Sequence, residues 1–495
     1  MIIVNMVEEV RRAKMLSLLI TVLLIAGCVS VGPDYVKPNT QTSPTWHTPL
    51  KGGLVSGETD NRTLLTWWTT LNDPVLNGLV NRALANNLDL KKARASIREA
   101  RARRGVAVAD LFPTIDATGS ATRSRTSENT GSINTATLYN AGLEGSINTT
   151  TLYNAGLDAT WELDIFGGVR RSVEAAEADL EASQEDMRDV LVSLLGEVAL
   201  NYIDVRTYQQ RLSVAEANLS SQKETLQIAI WRNQAGLNDE LDVQQARYNL
   251  ENTHSQIPAL RIGLEEAMNR IAVLLGEQPG TIHKELEEPG SVPDMPTKVT
   301  VGIPADVIRR RPDIRKAERE LAAQTARVGE ATADLYPKFT LSGSIILEAL
   351  SSHKLFSSDN ETRSGIASVT WPIFHGGSIR KNIEIQSALQ EKAAINYDAT
   401  LLNAFEEVEN ALIAYAEEQN KRDALREAEE AARGALELAR HKYESGMIDF
   451  TTVLEAQRSL LSFQIQLAES NGTVVSNLVK LYKTLGGGWE SVAVE

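Results

Sequence analysis

Thirteen of the thirty-two residues between 89 and 120 return unchanged 224 positions later. Asp89, Lys92, Ala93, Ala102, Arg103, Gly105, Ala107, Ala109, Asp110, Leu111, Pro113, Gly119 and Ser120 reappear as Asp313 through Ser344. Ala109-Asp110-Leu111-Phe112-Pro113 returns as Ala333-Asp334-Leu335-Tyr336-Pro337, each time closing a polar helical stretch and opening a segment rich in Thr, Ser and Gly. A chain that repeats itself at this spacing folds as one structural unit built twice.

The N-terminus reads as a signal. Arg11, Arg12 and Lys14 precede an apolar run from Met15 to Ala26. That run falls short of the ~20 residues needed to cross a bilayer and suits a secretory h-region. It ends Leu24-Ile25-Ala26-Gly27-Cys28, which resembles a bacterial lipobox and implies cleavage before Cys28 and acylation of that residue. Cys28 is the only cysteine, so no intrachain disulfide forms. The formal charge of −15 becomes −16 once residues 1–27, net +1, are removed. A surface this acidic disfavours nucleic acid as a partner.

The segments follow from composition. Residues 1–27 are the signal peptide, and residues 28–72 a lipid-anchored, proline-bearing tether. Residues 73–276 form the first repeat, a helix, a β-hairpin at 114–165 and a long helical hairpin at 171–276. A Pro-rich linker, 277–305, leads to the second repeat, 306–488, with its β-hairpin at 338–374 and helical hairpin at 381–485; residues 489–495 are a tail.

The clearest strand is 153–165. Tyr153, Ala155, Leu157, Ala159, Trp161, Leu163 and Ile165 alternate with polar residues or glycine, which gives one apolar and one polar face. Its counterpart carries Ala367, Val369, Trp371 and Ile373, and partner strands start at Thr114 and Lys338. Two strands per repeat make about four per chain. A membrane barrel takes at least ~8 strands, and an open apolar sheet leaves aggregating edges. Several chains completing one barrel resolve the conflict; a half-buried sheet in a soluble domain is the plainer alternative.

From Arg171 to Ala235 there is no proline and one interior glycine, Gly196. A continuous helix of that length would run roughly 100 Å at 1.5 Å per residue. Lys381 to Ser445 is similar, and both stretches carry apolar stripes at coiled-coil spacing: Leu191, Leu194, Val198, Tyr202, Val205 and Leu402, Phe405, Val408, Leu412, Tyr415. Each turns at a glycine, in Ala235-Gly236-Leu237-Asn238-Asp239 and Ser445-Gly446-Met447-Ile448-Asp449, where Gly suits a helix end and Asn or Asp the next N-cap. Pro258 is expected to kink the first returning helix. Residues 131–144 are almost repeated as 145–158, a shift of fourteen, which is even and keeps the same face outward. The second copy is expected to supply the strand and the first to lengthen the hairpin loop.

No Gly-rich phosphate loop, HExxH, paired cysteines or GxSxG is present, and the six histidines are scattered. The sequence gives no reason to expect an enzyme, a cofactor or a bound metal.

The motifs Gly32-Pro33-Asp34-Tyr35, Trp67-Trp68 with Leu71-Asn72-Asp73-Pro74, and Trp161-Glu162-Leu163-Asp164-Ile165-Phe166-Gly167 extend through nearly the whole mature chain. So do Gly302-Ile303-Pro304-Ala305-Asp306, Arg310-Arg311-Pro312-Asp313-Ile314, Trp371-Pro372-Ile373-Phe374 and Gly376-Gly377. They resemble the TolC/OprM family of outer-membrane efflux channels, in the lipoprotein branch that partners resistance-nodulation-division pumps. The resemblance implies a mainly α fold with a membrane β-barrel: a homotrimer whose twelve strands close one outer-membrane barrel and whose helical hairpins form a periplasmic tunnel. It implies a passive exit duct for drugs, toxic compounds or metal ions, driven by an inner-membrane pump through a periplasmic adaptor. It also implies a gate at the helix turns. By position Tyr443 resembles the gate tyrosine, Asp242 its aspartate partner and Glu455 an acidic-ring position. The chain departs at Ile448, where some members carry a linking arginine, and at Thr452, where another acidic ring lies; closure is then expected to lean on apolar contact between Ile448 side chains. Asp239, Glu240 and Asp449 keep the tip acidic. Carboxylates gathered on an axis repel, so their pKa values rise and the ring favours cations, with a multivalent plug as one outcome. Two other readings stand: a type I protein-secretion channel, and a non-conducting coiled-coil lipoprotein.

Overall fold

The computed structural model describes residues 30–40, 42–57, 64–125 and 149–489. The signal peptide, Cys28, the first copy of the tandem segment (131–144) and residues 490–495 lie outside the described residues.

Each repeat opens with two helices rather than one. The first has α1, Pro74–Asn86, and α2, Leu88–Ala109; the second has the shorter α5, Pro304–Arg310, and α6, Pro312–Ala333. Both breaks have a local cause. Asn87 caps α2 through its side chain, accepting from the Leu90 N–H at 2.9 Å, and donates to the Leu274 carbonyl at 2.9 Å. At the corresponding position Arg311 precedes Pro312, which cannot continue a helix, and donates to the Thr484 carbonyl at 3.1 Å. Each break thus ties the leading helices to the end of a returning helix.

After β2, Thr114–Arg125, and β3, Thr149–Leu163, come α3, Gly168–Gln234, and α4, Glu240–Leu274; α4 runs through Pro258 as one helix. The second repeat follows with β5, Lys338–Ala349, β6, Glu361–Thr370, α7, Ser378–Glu444, and α8, Phe450–Thr484. The hairpin helices match in length, 67 residues for α3 and α7 and 35 for α4 and α8. The spacing between repeats is 224 from Leu88 to Pro312 but 210 from Gly168 to Ser378. The first repeat therefore holds fourteen extra residues before its long helix, the length of the tandem segment.

Two compact units can be described. One comprises Met1–Val36, Ala100–Asp179 and Leu321–Ala393 and holds a four-stranded antiparallel sheet in the order β2-β3-β5-β6. Its register puts Ile115, Ala117 and Ala121 opposite Ala159, Leu157 and Tyr153, and those in turn opposite Gly343, Ile345 and Ala349. One face is therefore apolar along most of its length, with Arg123, Arg125, Glu361 and Arg363 at its loop end. The other carries Asp116, Thr118, Asn154, Asp158, Ser342 and Ser344, with the Thr118 hydroxyl donating to Asp158 at 2.9 Å. The second tandem copy supplies the strand, with Tyr153 inside the ladder. Aromatic side chains gather where the strands meet the helices: Trp161 and Trp371 donate Nε1–H to the carbonyls of Leu111 and Leu335, and Phe166 stacks on Tyr336 at 4.8 Å. No helix among the described residues is long and apolar enough to cross a membrane.

The Gly32-Pro33-Asp34-Tyr35 motif anchors the N-terminal segment in this unit. At Gly32, φ is +91° and a Cβ would lie 2.4 Å from the Gly329 Cα, so only glycine fits. Asp34 pairs with Arg171 at 2.6 Å, and Tyr35 packs against Ala178, Ala322 and Ala323.

The other unit comprises Lys37–Glu99, Leu180–Glu320 and Ala394–Glu495. It contains a parallel pairing that no periodicity announced, between β1, Leu54–Ser56, in the tether and β4, Val299–Val301, in the linker. Between α3 and α8 the backbones approach closely at Gly472, where a Cβ would meet Thr207 Oγ1 at 2.0 Å and its Cβ and Cγ2 at 3.0 Å. Thr207 is β-branched and bonded to the Ile203 carbonyl at 2.7 Å, so it has little room to yield. Gly472→Ala is expected to destabilise the chain by about 1–3 kcal/mol, and Thr207→Ala to restore most of that loss. Thermal melts of the single and double variants check this; a neutral Gly472→Ala would show that the helices separate freely.

Candidate gate at the helical hairpin turns

Both hairpin turns are built the same way. Gly236 and Gly446 take φ of +75° and +71°. Their N–H groups donate to Asn233 and Tyr443 at 2.9 Å, while Leu237 and Met447 donate to Arg232 and Lys442 at 2.8 Å. This pairing is the glycine-closed Schellman ending. It leaves Leu237 and Met447 66 % exposed at the two tips.

Asp239 and Asp449 occupy the N-cap positions of α4 and α8 in extended conformation, but neither side chain caps. Only their backbone carbonyls accept, from the Asp242 and Thr452 N–H groups at 3.2 Å. Both carboxylates stay exposed. Asp242 is half-buried one turn into α4. Burial pushes its carboxyl above the ordinary range and the charges of Asp239 and Asp449 push the same way, against the side chain of Asn238 and the charge of Arg232.

Tyr443 stands between two apolar clusters. On one side are Ala229, Val243 and Ala246 of the first hairpin with Phe450 and Leu454 of the second. On the other are Ala432, Leu436, Ala439, Val453 and Leu460, all of the second hairpin. Its ring lies 5.2 Å from Phe450, and the Arg232 guanidinium sits 4.7 Å from its centroid. The Tyr443 hydroxyl and Arg232 Nε are buried with no hydrogen-bond partner among the described residues. Burial raises the tyrosine's pKa, opposed by Arg232 and reinforced by Asp242.

The turns thus bring Tyr443, Asp242, Asp239 and Asp449 into one electrostatic neighbourhood, with no hydrogen bond from Tyr443 to Asp242 within the chain. Ile448 is half-buried against its own hairpin's cluster. Glu455 and Thr452 are exposed further along α8. Two features escaped the sequence reading. Arg232 supplies, from the other hairpin, an arginine beside Tyr443; the available hint was that the last turns of α3 and α7 both carry basic residues, Arg232 and Lys442. Trp231, Leu237 and Leu241 also leave an apolar patch exposed at the first tip. Among the described residues no three His, Cys, Asp or Glu side chains of one chain gather to hold a metal ion.

An apolar-faced sheet with open edges, joined to twin helical hairpins that end in an acidic tip, defines a subunit of a membrane channel with a helical tunnel. The chain matches the outer membrane efflux protein family over residues 79–277 and 303–487. It is 34 % identical over 479 residues to nodulation protein T of Rhizobium leguminosarum bv. trifolii, covering 95 % of this chain and 97 % of that one. It is 31 % identical over 484 residues to SrpC, the solvent efflux pump outer membrane protein of Pseudomonas putida, covering 96 % and 99 %. It resembles the solved outer-membrane channel OprN with a TM-score of 0.85 at 35 % identity, covering 93 % and 99 %. The chain belongs to the outer membrane efflux protein family. It is an outer-membrane channel component of an efflux system, with its helical tunnel in the periplasm.

Proposed function

We propose that three copies assemble into one channel, lipid-anchored through Cys28, that an inner-membrane resistance-nodulation-division pump reaches through a periplasmic adaptor. The observation that supports this most directly is the four-stranded sheet whose edges, β2 and β6, have no strand partner among the described residues. Four antiparallel strands alternate in direction, so β6 of one copy meets β2 of the next antiparallel, and three copies give twelve strands without an edge. The tip groups Tyr443, Asp242, Asp239, Asp449, Ile448 and Glu455 form the periplasmic gate. The buried, unpartnered Tyr443 hydroxyl is available to a neighbouring copy. Relatives named for solvent efflux favour small toxic organic compounds as cargo.

The gate responds to pH with a definite sign. A carboxyl whose pKa is raised on folding holds its proton more tightly in the folded form. It therefore stabilises the closed tip as pH falls through the raised pKa and loses that contribution as pH rises above it. Channel conductance in planar bilayers is expected to fall as the pH is lowered through the raised Asp242 pKa, and Asp242→Asn to flatten the response. Tyr443→Phe should raise basal conductance. Unchanged conductance in both variants at every pH would refute the gate while leaving the channel intact.

A further inference from the structure

The two β-hairpins repeat in register. Ala121 faces Tyr153 across β2–β3, and Ile345 faces Arg363 across β5–β6. These pairs correspond at the repeat spacings of 224 and 210. Trp161 and Trp371 bond to Leu111 and Leu335 by the same correspondence. One chain therefore contains a single junction between its repeats, β3–β5, and leaves the counterpart junction, β6–β2, open at its edges.

Closing the barrel with the register of β3–β5 fixes what meets at each seam. Tyr153↔Ala349 becomes Arg363 opposite Arg125 of the next copy, Ala155↔Leu347 becomes Gly365 opposite Arg123, and Leu157↔Ile345 becomes Ala367 opposite Ala121. All these positions lie on the lipid-facing side, the three arginines at the loop ends of β2 and β6. Arg123 and Arg125 are exposed and have no ion-pair partner among the described residues. Arg363 is paired with Glu361, the only carboxylate among the described strand residues of that face. Three guanidinium groups thus meet one carboxylate, with two arginines directly opposed, an arrangement that repels unless an anion lies between them. Guanidinium forks match phosphate oxygens, and arginine on the lipid side is tolerated at the interface where headgroups lie.

We propose, on the strength of the threefold assembly above, that each seam carries an anion site. Arg363 of one copy and Arg123 and Arg125 of the next hold the phosphate of a membrane-lipid headgroup there.

The test uses the full chain in neutral detergent. Ala121→Cys with Ala367→Cys, oxidised with copper phenanthroline, should give covalent oligomers up to the trimer. The thermal dissociation temperature of the wild-type trimer should rise with phosphatidic acid, and neither with diacylglycerol of the same chains nor with inorganic phosphate. Arg125→Gln with Arg363→Gln should bind phosphatidic acid about tenfold more weakly. Without phosphate that variant should dissociate at the same or a higher temperature, because the opposed charges are gone. A protein that stays monomeric overturns the threefold reading itself. A trimer without the 121–367 cross-link overturns the seam register. Cross-linking with equal lipid responses in wild type and variant overturns the anion site. Stabilisation by inorganic phosphate alone overturns the headgroup as its source.

Discussion

Trp67→Ala is expected to destabilise the protein by about 3–5 kcal/mol, the largest loss of any single side chain considered. Trp67 is 1 % exposed, stacks on Tyr482 at 5.6 Å and meets Trp68 edge-on at 5.9 Å. Gly487 and Gly488 pass so close that Cβ atoms there would come within 3.2 and 3.4 Å of the indole. Removing the ring opens a cavity bounded by the end of α8 and by Leu195 of α3, which neighbouring backbone cannot fill. Its Nε1–H is buried without a partner among the described residues. Trp67→Phe keeps the stack, removes that orphan donor and leaves a smaller cavity, so it should cost clearly less than Trp67→Ala. Urea unfolding followed by circular dichroism separates the two variants; equal losses would show that the indole's shape does not matter.

Arg232→Met should shift the proposed gate toward open by about 1–2 kcal/mol, the strength of a partly desolvated cation–π contact, or roughly five- to thirtyfold in the closed-to-open ratio. Arg232 ends α3 and lies over the ring of Tyr443 at the end of α7, so the contact joins the two hairpins of one chain. The same hairpins share the cluster in which Phe450 and Leu454 pack on Ala229, Val243 and Ala246. Any motion that parts the hairpins has to break both. Methionine retains most of the apolar stem while removing the charge. The substitution also removes the cation that lowers the Asp242 pKa, so the pH response should move to higher pH. Single-channel recording reads both effects. An open probability that does not rise would assign closure to contacts between copies alone.

The parts legible in the sequence were those with a period. Alternation over 153–165 pointed to the strand and its faces, though the strand itself runs Thr149–Leu163, and long proline-free stretches closed by Gly236 and Gly446 pointed to the helical hairpins. The β1–β4 pairing was not legible, because three-residue strands 245 positions apart, Leu54 with Val299, carry no pattern. Nor was the break at Asn87, where a lone side chain ends one helix and caps the next. At the tip, positional resemblance picked out Tyr443 and Asp242. It marked Ile448, on the same hairpin as Tyr443, as a departure from members with a linking arginine there, and gave no sign that Arg232 on the other hairpin supplies a cation beside the ring. A contact between segments 211 residues apart leaves no mark on local spacing.

The two-residue alternation of the barrel wall constrains how such a gene can drift. An insertion of an odd number of residues within a strand would turn every following lipid-side residue toward the water-filled interior. An even one passes unnoticed by the membrane. The first repeat's surplus of fourteen obeys that parity. Length variation in this part of the chain should accumulate in multiples of six nucleotides, with the odd-codon steps purged.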